Sequence, residues 1–337
     1  MNREERVRAV LSGREPDRIP ASVWMHFSKY DQDPRSLAEC MIEFNKKYDF
    51  DFIKMMPFGA YTIPDWGAKL DIYCDTYKEV EIAAPGINSV DDYWRMEVLP
   101  PTYGTWGKTL QLSQWMERLS EPNTPYIQTL FSPATTLKKL AGARMLQDMK
   151  EHPDAVHQAL EVITETAIGF AKANIEAGVS GFFFATQCAT PDVMDDLMFA
   201  EFCKPYDLRL INAYKDITWF NVAHIHGHNI RFDEVAAYPC NVINWHDRQT
   251  NPSLGEAREK CGKVFLGGLR EGPMIVGSSL VYDSIMSSST DPELVKAHIR
   301  EAIDMVEGKG LLIGPGCVAD PRSPEANLRA VREAVER

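Results

Sequence analysis

The hydrophobic positions of this chain fall into short runs that alternate with longer segments of helical periodicity. Several runs, including GFFFAT at 181–186 and LLIG at 311–314, are apolar at almost every position rather than at alternate positions. Strands that are apolar on both faces are typical of a parallel sheet covered by helices. The pattern predicts eight strands, at Ile19–Met25, Phe52–Met56, Tyr126–Phe131, Gly181–Thr186, Ile217–Ala223, Val242–Trp245, Val264–Leu269 and Gly310–Ile313.

Helical patterns separate most of these strands. Pro153–Ala177 predicts one long helix, because proline suits the first turn and Gly178 follows the last one. Asp291–Glu307, followed by Gly308, has the same form. Eight strands alternating with helices predict a (β/α)8 TIM barrel in a single domain, residues 1–337. A doubly wound open sheet is the alternative, weakened because no G-x-G-x-x-G follows any strand.

The segment 59–124 departs from this alternation. It follows the second predicted strand and is rich in proline, tyrosine, tryptophan and aspartate. We interpret it as an insertion at the carboxyl-terminal face of the barrel, where insertions build or cover an active site.

The charge balance narrows the classes of partner. The chain has 36 basic and 48 acidic residues, a net charge of −12. We therefore expect no nucleic-acid partner, and a polyanionic substrate would need a local basic pocket. The charged start MNREERVRAVLSGREPDRIP has no apolar signal core, and no apolar run is long enough to span a membrane. We expect a cytoplasmic protein with no membrane partner.

Two short segments contain candidate metal ligands. In NVAHIHGHNI, His224 and His226 are two residues apart, so an extended chain directs both to one face, and Gly227 is placed to turn the chain before His228. In GPGCVADPRSP, a turn after the last strand presents Cys317 at the same barrel face. Two imidazoles and a thiolate suit zinc and leave a fourth position open, as in catalytic sites.

The alternative to a zinc site is a buried, hydrogen-bonded histidine pair beside an unrelated thiol. Cysteine number does not decide between the two, because the seven cysteines are irregularly spaced and predict free thiols rather than disulfides.

Other residues at predicted strand ends and in the amino-terminal loops are weaker candidates. His246 ends a strand in VINWHDR and is a candidate catalytic residue: it would donate a hydrogen bond to a metal ligand, contact the substrate or bind the metal itself, and a structural hydrogen bond to a neighbouring loop is the alternative. His228 is a further alternative metal ligand. Polar groups ending FFFATQ suggest a substrate or catalytic role, and aromatic or histidine side chains near the barrel mouth suit a flat or methylated ligand. These are Thr186, Gln187, Trp24, His26, Tyr61, Trp66 and Trp106, with core packing or strand capping as the alternative for each. Asp320 and Arg322 are expected to form a turn salt bridge.

Several segments together resemble the uroporphyrinogen decarboxylase superfamily, which includes zinc- and corrinoid-dependent methyltransferases. They are REERVRAVLSGREPDRIPASVW, FSPATTLKKLAG, FFFATQ, FAEFCKPYDLRL and GPGCVADPRSPEANLRAVREAVER. The resemblance implies the barrel fold. The methyltransferases have H-x-C after one strand and a cysteine in the final loop. Here His224 and Cys317 match, while His226 replaces the usual cysteine, and histidine remains a competent zinc ligand.

The decarboxylase branch fits less well. Its R-x-x-G-R-Y motif corresponds here to VWMHFSKYDQDP, which has no arginine pair. Its aspartate after the second strand corresponds to the region of Met55 and Met56 in FIKMMPFGAY.

The leading hypothesis is a zinc-dependent methyltransferase that moves a methyl group between a small substrate and a corrinoid. The small substrate would be a methyl ether, a methylamine, or a thiol or folate acceptor. Because no D-x-H-x-x-G is present, the corrinoid would come from a partner protein. The alternatives are a uroporphyrinogen-type decarboxylase and a non-catalytic barrel that binds a tetrapyrrole or corrinoid.

Overall fold

The computed structural model describes residues 1–272, 274–276, 279–282 and 284–336, with the backbone alone for 274–276 and 279–282. The strands of the described residues are β1 (Ile53–Lys54), β2 (Lys69–Asp71), β3 (Glu81–Ala84), β4 (Tyr126–Phe131), β5 (Gly181–Thr186), β6 (Val222–Ile225), β7 (Val242–Trp245), β8 (Val264–Leu269), β9 (Met274–Val276), β10 (Ser279–Tyr282) and β11 (Leu311–Pro315). The helices are α1 (Arg3–Leu11), α2 (Pro34–Tyr48), α3 (Val90–Trp94), α4 (Gly104–Leu119), α5 (Pro133–Ala141), α6 (Met145–Glu151), α7 (Pro153–Glu176), α8 (Asp196–Phe202), α9 (Lys204–Asn212), α10 (Phe232–Ala236), α11 (Leu254–Lys260), α12 (Pro292–Asp304) and α13 (Glu325–Glu333).

The central sheet is parallel and curled. Its order in the described residues is β1-β4-β5-β6-β7-β8-β11, and every neighbouring pair is parallel. Buried apolar side chains fill both of its faces, so the α/β barrel class predicted from the apolar runs is confirmed.

The first predicted strand, Ile19–Met25, is wrong as a regular strand. Only Ala21 forms a bridge, to Ile313 of β11. The segment still closes the barrel, since Ser22 N–H donates to Ile313 O at 2.9 Å and Asp51 N–H donates to Ala21 O at 2.8 Å. A regular ladder fails here because Pro20 has no N–H and Ala21 N–H donates to the Asp51 carboxylate, at 2.8 Å, instead of to a strand.

Helix α7 matches the predicted helix that begins at Pro153, and Gly178 just past its end has the positive φ of +85° that glycine tolerates. Among the described residues, no helix has the length and apolar character needed to cross a bilayer.

The segment 59–124 contains the antiparallel pair β2–β3, the short helix α3 and the long helix α4. Helix α4 packs against α2 and α7, so it belongs to the helical layer around the barrel. The β2–β3 hairpin and α3 are the elements that interrupt the alternation of barrel strands and helices.

Candidate metal centre

His224, His226 and Cys317 come together at the carboxyl-terminal face of the sheet. His224 lies in β6, His226 continues the same strand direction, and Cys317 follows β11. One ligand atom from each residue lies within 4.8 Å of the others, and Cys317 Sγ is 3.7 Å from His226 Nδ1. Two such ligands on a tetrahedral zinc are separated by about 3.6 Å, given Zn–N of about 2.0 Å and Zn–S of about 2.3 Å. The side chains therefore fit this metal.

Asn244 determines which nitrogen of His224 can bind a metal. The Asn244 Nδ2 group donates to the backbone oxygens of Leu266 and Pro315, at 2.8 and 3.0 Å, so its Oδ1 must face His224. That oxygen lies 2.6 Å from His224 Nδ1, which therefore carries the proton and donates. His224 Nε2 therefore keeps a free lone pair with which it can bind a metal. Metal-binding histidines usually donate the proton of their other ring nitrogen in this way.

Both histidines are neutral and ready to act as ligands. Burial, and then the neighbouring histidines, hold the pKa of His224 well below its usual value. Burial and the charge of His246 lower the pKa of His226 to about 4. Neither ring therefore has to lose a proton before it binds a cation at neutral pH.

The Cys317 loop can approach only because it contains Gly316. A Cβ atom at this position would lie 2.7 Å from Trp245 O and 2.8 Å from His246 Cα. The Gly316 N–H donates to Glu271 Oε2 at 3.0 Å, which ties the loop to the segment that follows β8.

Glu271 also binds His246, the residue predicted to be catalytic. Glu271 Oε1 lies 2.9 Å from His246 Nδ1, and the two side chains are buried. Burial opposes protonation of His246, but hydrogen bonds to Cys317 and Glu271 outweigh it and raise its pKa to about 10. His246 thus lies directly against the candidate metal ligands, with its ring centre 5.3 Å from that of His226.

Two of the remaining predicted site residues do not face the candidate metal centre. Tyr61 is fully buried, donates its hydroxyl proton to Thr129 O at 2.8 Å and packs on Trp106, which corrects its predicted substrate contact to a core role. Thr186 is also a correction. Its register partner is Ile225, so it points to the sheet face opposite His224, with the helices.

Gln187, Trp24 and His26 lie closer to the candidate centre. Gln187 is one position past β5, on the side of the sheet that His224 occupies, and its N–H donates to Thr135 Oγ1 at 2.8 Å. Trp24 packs edge-on against Phe183, whose ring stacks on His224.

His26 connects the barrel to the hairpin loop at residues 72–80. Its Nε2 lies 3.3 Å from the Glu79 carboxylate, while Arg322 lies 4.9 Å from the centre of the Tyr77 ring. The hairpin loop therefore contacts both the loop after the closing segment and the loop after β11. An insertion at the active-site face of the barrel stays a prediction.

His228 is exposed beyond the turn at Gly227, whose φ is +117°. Asp320 and Arg322 form the expected turn pair, at 3.6 Å.

Three residues near the centre were missed by sequence reasoning: Asn244, Glu271 and Lys54. Each is a polar residue at or near the carboxyl end of an apolar strand, the position that carries function in a barrel. That signal was present in VINWH, GGLREG and FIKMM.

A family comparison agrees with the fold. The chain belongs to the uroporphyrinogen decarboxylase (URO-D) family, whose model matches residues 2–337. A solved structure described as a methyltransferase from Methanosarcina mazei superimposes with a TM-score of 0.82, at 18% identity, over 99% of this chain and 98% of that one. A B12-independent methionine synthase from Shewanella sp. W3-18-1 gives 0.58, at 12% identity, over 94% and 92%. At these identities the likeness shows the fold.

Relatives with sequence similarity are methyltransferases. The chain is 26% identical over 212 residues to the methylcobamide:CoM methyltransferase MtaA of Methanosarcina barkeri, which covers 62% of this chain and 57% of that protein. It is 20% identical over 262 residues to the methylcobamide:CoM methyltransferase MtbA of Methanosarcina mazei, covering 78% and 73%. The match to MtaA thus spans a little over half of that relative's length.

Proposed function

We propose that this chain is a zinc-dependent methyltransferase that moves a methyl group between a small substrate and a corrinoid bound to a separate protein. The observation that carries the proposal is the convergence of His224, His226 and Cys317, with Sγ and Nδ1 3.7 Å apart. The relatives named as methylcobamide:CoM methyltransferases support the reaction class.

Three protein ligands leave one position for substrate. When bound, zinc supplies a Lewis acid that stabilises negative charge on a substrate sulfur or oxygen. The chain's own residues hold that geometry: Asn244 fixes the His224 ring, and Gly316 with Glu271 positions the Cys317 loop. His246 is proposed to contact the substrate or to orient Cys317, and Gln187 to contribute a polar contact beside His226.

The partners are then a corrinoid protein at the barrel mouth and a small methyl donor or acceptor. The donor could be a methyl ether or methylamine, and the acceptor a thiol or folate. Either direction of transfer would use the position that His224, His226 and Cys317 leave open, because the same substrate atom either attacks the methyl group or leaves it.

The first experiment measures metal content and ligand identity. We expect about one zinc per chain in the protein purified without chelator, and loss of zinc in Cys317→Ser. Cys261→Ser is the matched control, since Cys261 is a half-buried free thiol outside the cluster. In Co²⁺-substituted protein, the sulfur-to-cobalt charge-transfer band should disappear in Cys317→Ser and persist in His226→Ala. A wild-type protein that retains no metal would refute the site.

The second experiment tests the reaction. With cob(I)alamin or methylcobalamin as surrogate, the cobalt spectrum should change only when a competent methyl donor or acceptor is present, and His226→Ala should abolish that change. A zinc-loaded enzyme that is inert with methyl ethers, methylamines and thiols, and with corrinoid proteins from neighbouring genes, would support the non-catalytic barrel instead.

A further inference from the structure

Lys54 is a buried cation that points into the barrel next to the candidate metal centre. It ends β1, in register with Ile127, and its side chain is about 6% exposed. Its ammonium donates a hydrogen bond to the sulfur of Met56, at 2.8 Å, and lies 4.6 Å from the centre of the Phe183 ring. Among the described residues, no carboxylate lies within ion-pair distance of it.

The position of Lys54 relative to the metal ligands follows from Phe183. The same phenyl ring that contacts the ammonium at 4.6 Å stacks on His224 with ring centres 5.1 Å apart, so the ammonium is no more than about 10 Å from the His224 ring centre. A molecule bound between the two would be short, with only a few bonds between its ends.

A second lysine adds to the positive charge of this region. Lys139 donates to Gly59 O and lies 3.5 Å from the centre of the Phe131 ring, again without a carboxylate partner among the described residues. Burial lowers the pKa of each lysine to about 7. Phe131 is in register with Ala185, the strand partner of His224, so Lys139 lies against the inner face of the sheet that also carries His224. Burial, then the charges of Lys54 and Lys139, lower the pKa of His26 to about 3.

The indole N–H of Trp24 is a further unused donor beside Lys54. Trp24 is 2% exposed, its Nε1 has no hydrogen-bond partner in the described part of the chain, and its ring centre lies 6.0 Å from the Lys54 ammonium. A buried donor and a buried cation without an anion cost stability, because both lose water without full compensation. The thioether of Met56 is a weak acceptor, so an incoming oxyanion would replace it favourably.

We infer that Lys54, with Trp24 and Lys139 nearby, binds an oxyanion such as a carboxylate at the far end of the small substrate. The inference rests on the proposed function, which places the reacting atom of that substrate at the metal. These residues would form the local basic pocket that an anionic substrate needs in a chain whose net charge is −12.

The test compares two thiols of similar size on zinc-loaded protein by isothermal titration calorimetry. 3-Mercaptopropionate carries a carboxylate and 3-mercapto-1-propanol carries a hydroxyl. We expect wild type to bind the acid at least about tenfold more tightly, and Lys54→Met to lose that preference while still binding the alcohol, since methionine matches the lysine stem in length. Lys139→Met should reduce the preference partly.

Lys263→Met is the matched control, because Lys263 is a half-buried lysine. It donates to the backbone oxygens of Tyr238 and Cys240, just before β7 begins and so at the opposite end of the strands from the metal centre. The preference of Lys263→Met for the acid should equal that of wild type. If wild type binds both thiols equally, the oxyanion assignment is wrong while the thiol site at zinc stands. If wild type binds neither thiol, the open metal position is wrong and both proposals fall. If Lys54→Met still prefers the acid, the carboxylate binds at zinc rather than at the lysine, and the oxyanion assignment is wrong.

Discussion

Replacing Asn244 by alanine should weaken zinc binding without touching a metal ligand. The substitution removes the acceptor that holds the His224 proton on Nδ1, and it removes the donor to Leu266 O and Pro315 O. Loss of such an outer partner typically weakens metal affinity by about 10- to 100-fold. Two buried carbonyl oxygens that lose their donor should lower the free energy of unfolding by about 1–3 kcal/mol.

The assay is competition for zinc with a chromophoric chelator, combined with urea unfolding of the metal-free protein. Asn174→Ala is the matched control, because Asn174 is equally buried and hydrogen-bonded but lies on helix α7. It should lose stability and keep its zinc affinity. A folded Asn244→Ala protein that binds zinc as tightly as wild type would show that Asn244 does not orient His224, or that His224 is not a ligand.

Three further predictions follow from neighbouring contacts. Gly316→Ala should weaken zinc binding in the same chelator assay, since its Cβ would meet Trp245 O at 2.7 Å and displace the Cys317 loop; unchanged affinity would contradict this. Asp51→Ala should lower the free energy of unfolding by about 3–5 kcal/mol while zinc affinity per folded molecule stays the same, because the buried carboxylate pairs with Arg6 and Arg18; a loss below about 1 kcal/mol would be evidence against the pairing. Uroporphyrinogen III should yield no coproporphyrinogen, since β1 ends in inward-facing Lys54 and is followed by buried Met55 where a decarboxylase has an acid, and enzyme-dependent product would overturn this.

The sequence predicted the parts of the site that depend on local geometry. A period of two along an extended chain was enough to place His224 and His226 on one face, and the final loop was recognisable from its Gly-Pro-Gly turn. Strand parity was also available for Thr186, but its assignment to the mouth ignored that its neighbour Ala185 shares the face of His224.

Contacts between distant segments were beyond the sequence. The bonds from Asn244 to Pro315 and from Glu271 to Gly316 each join different strand ends, so no local pattern reveals them. The strand predicted at Ile19–Met25 failed for a similar reason, because the Asp51 carboxylate takes the N–H of Ala21. Apolar composition alone could not show that competition.

Closure of the barrel by Ala21 has a consequence for how the chain folds as it is made. The closing segment is synthesised before every strand of the central sheet, but one of its two neighbours, β11, is synthesised after all the other strands of that sheet. Until β11 leaves the ribosome, the emerging sheet has an open edge, which is a site for aggregation in incomplete chains. Cys317 lies two residues after β11, so closure and completion of the proposed metal ligand set follow closely on one another, and a nascent chain that ends before β11 has neither.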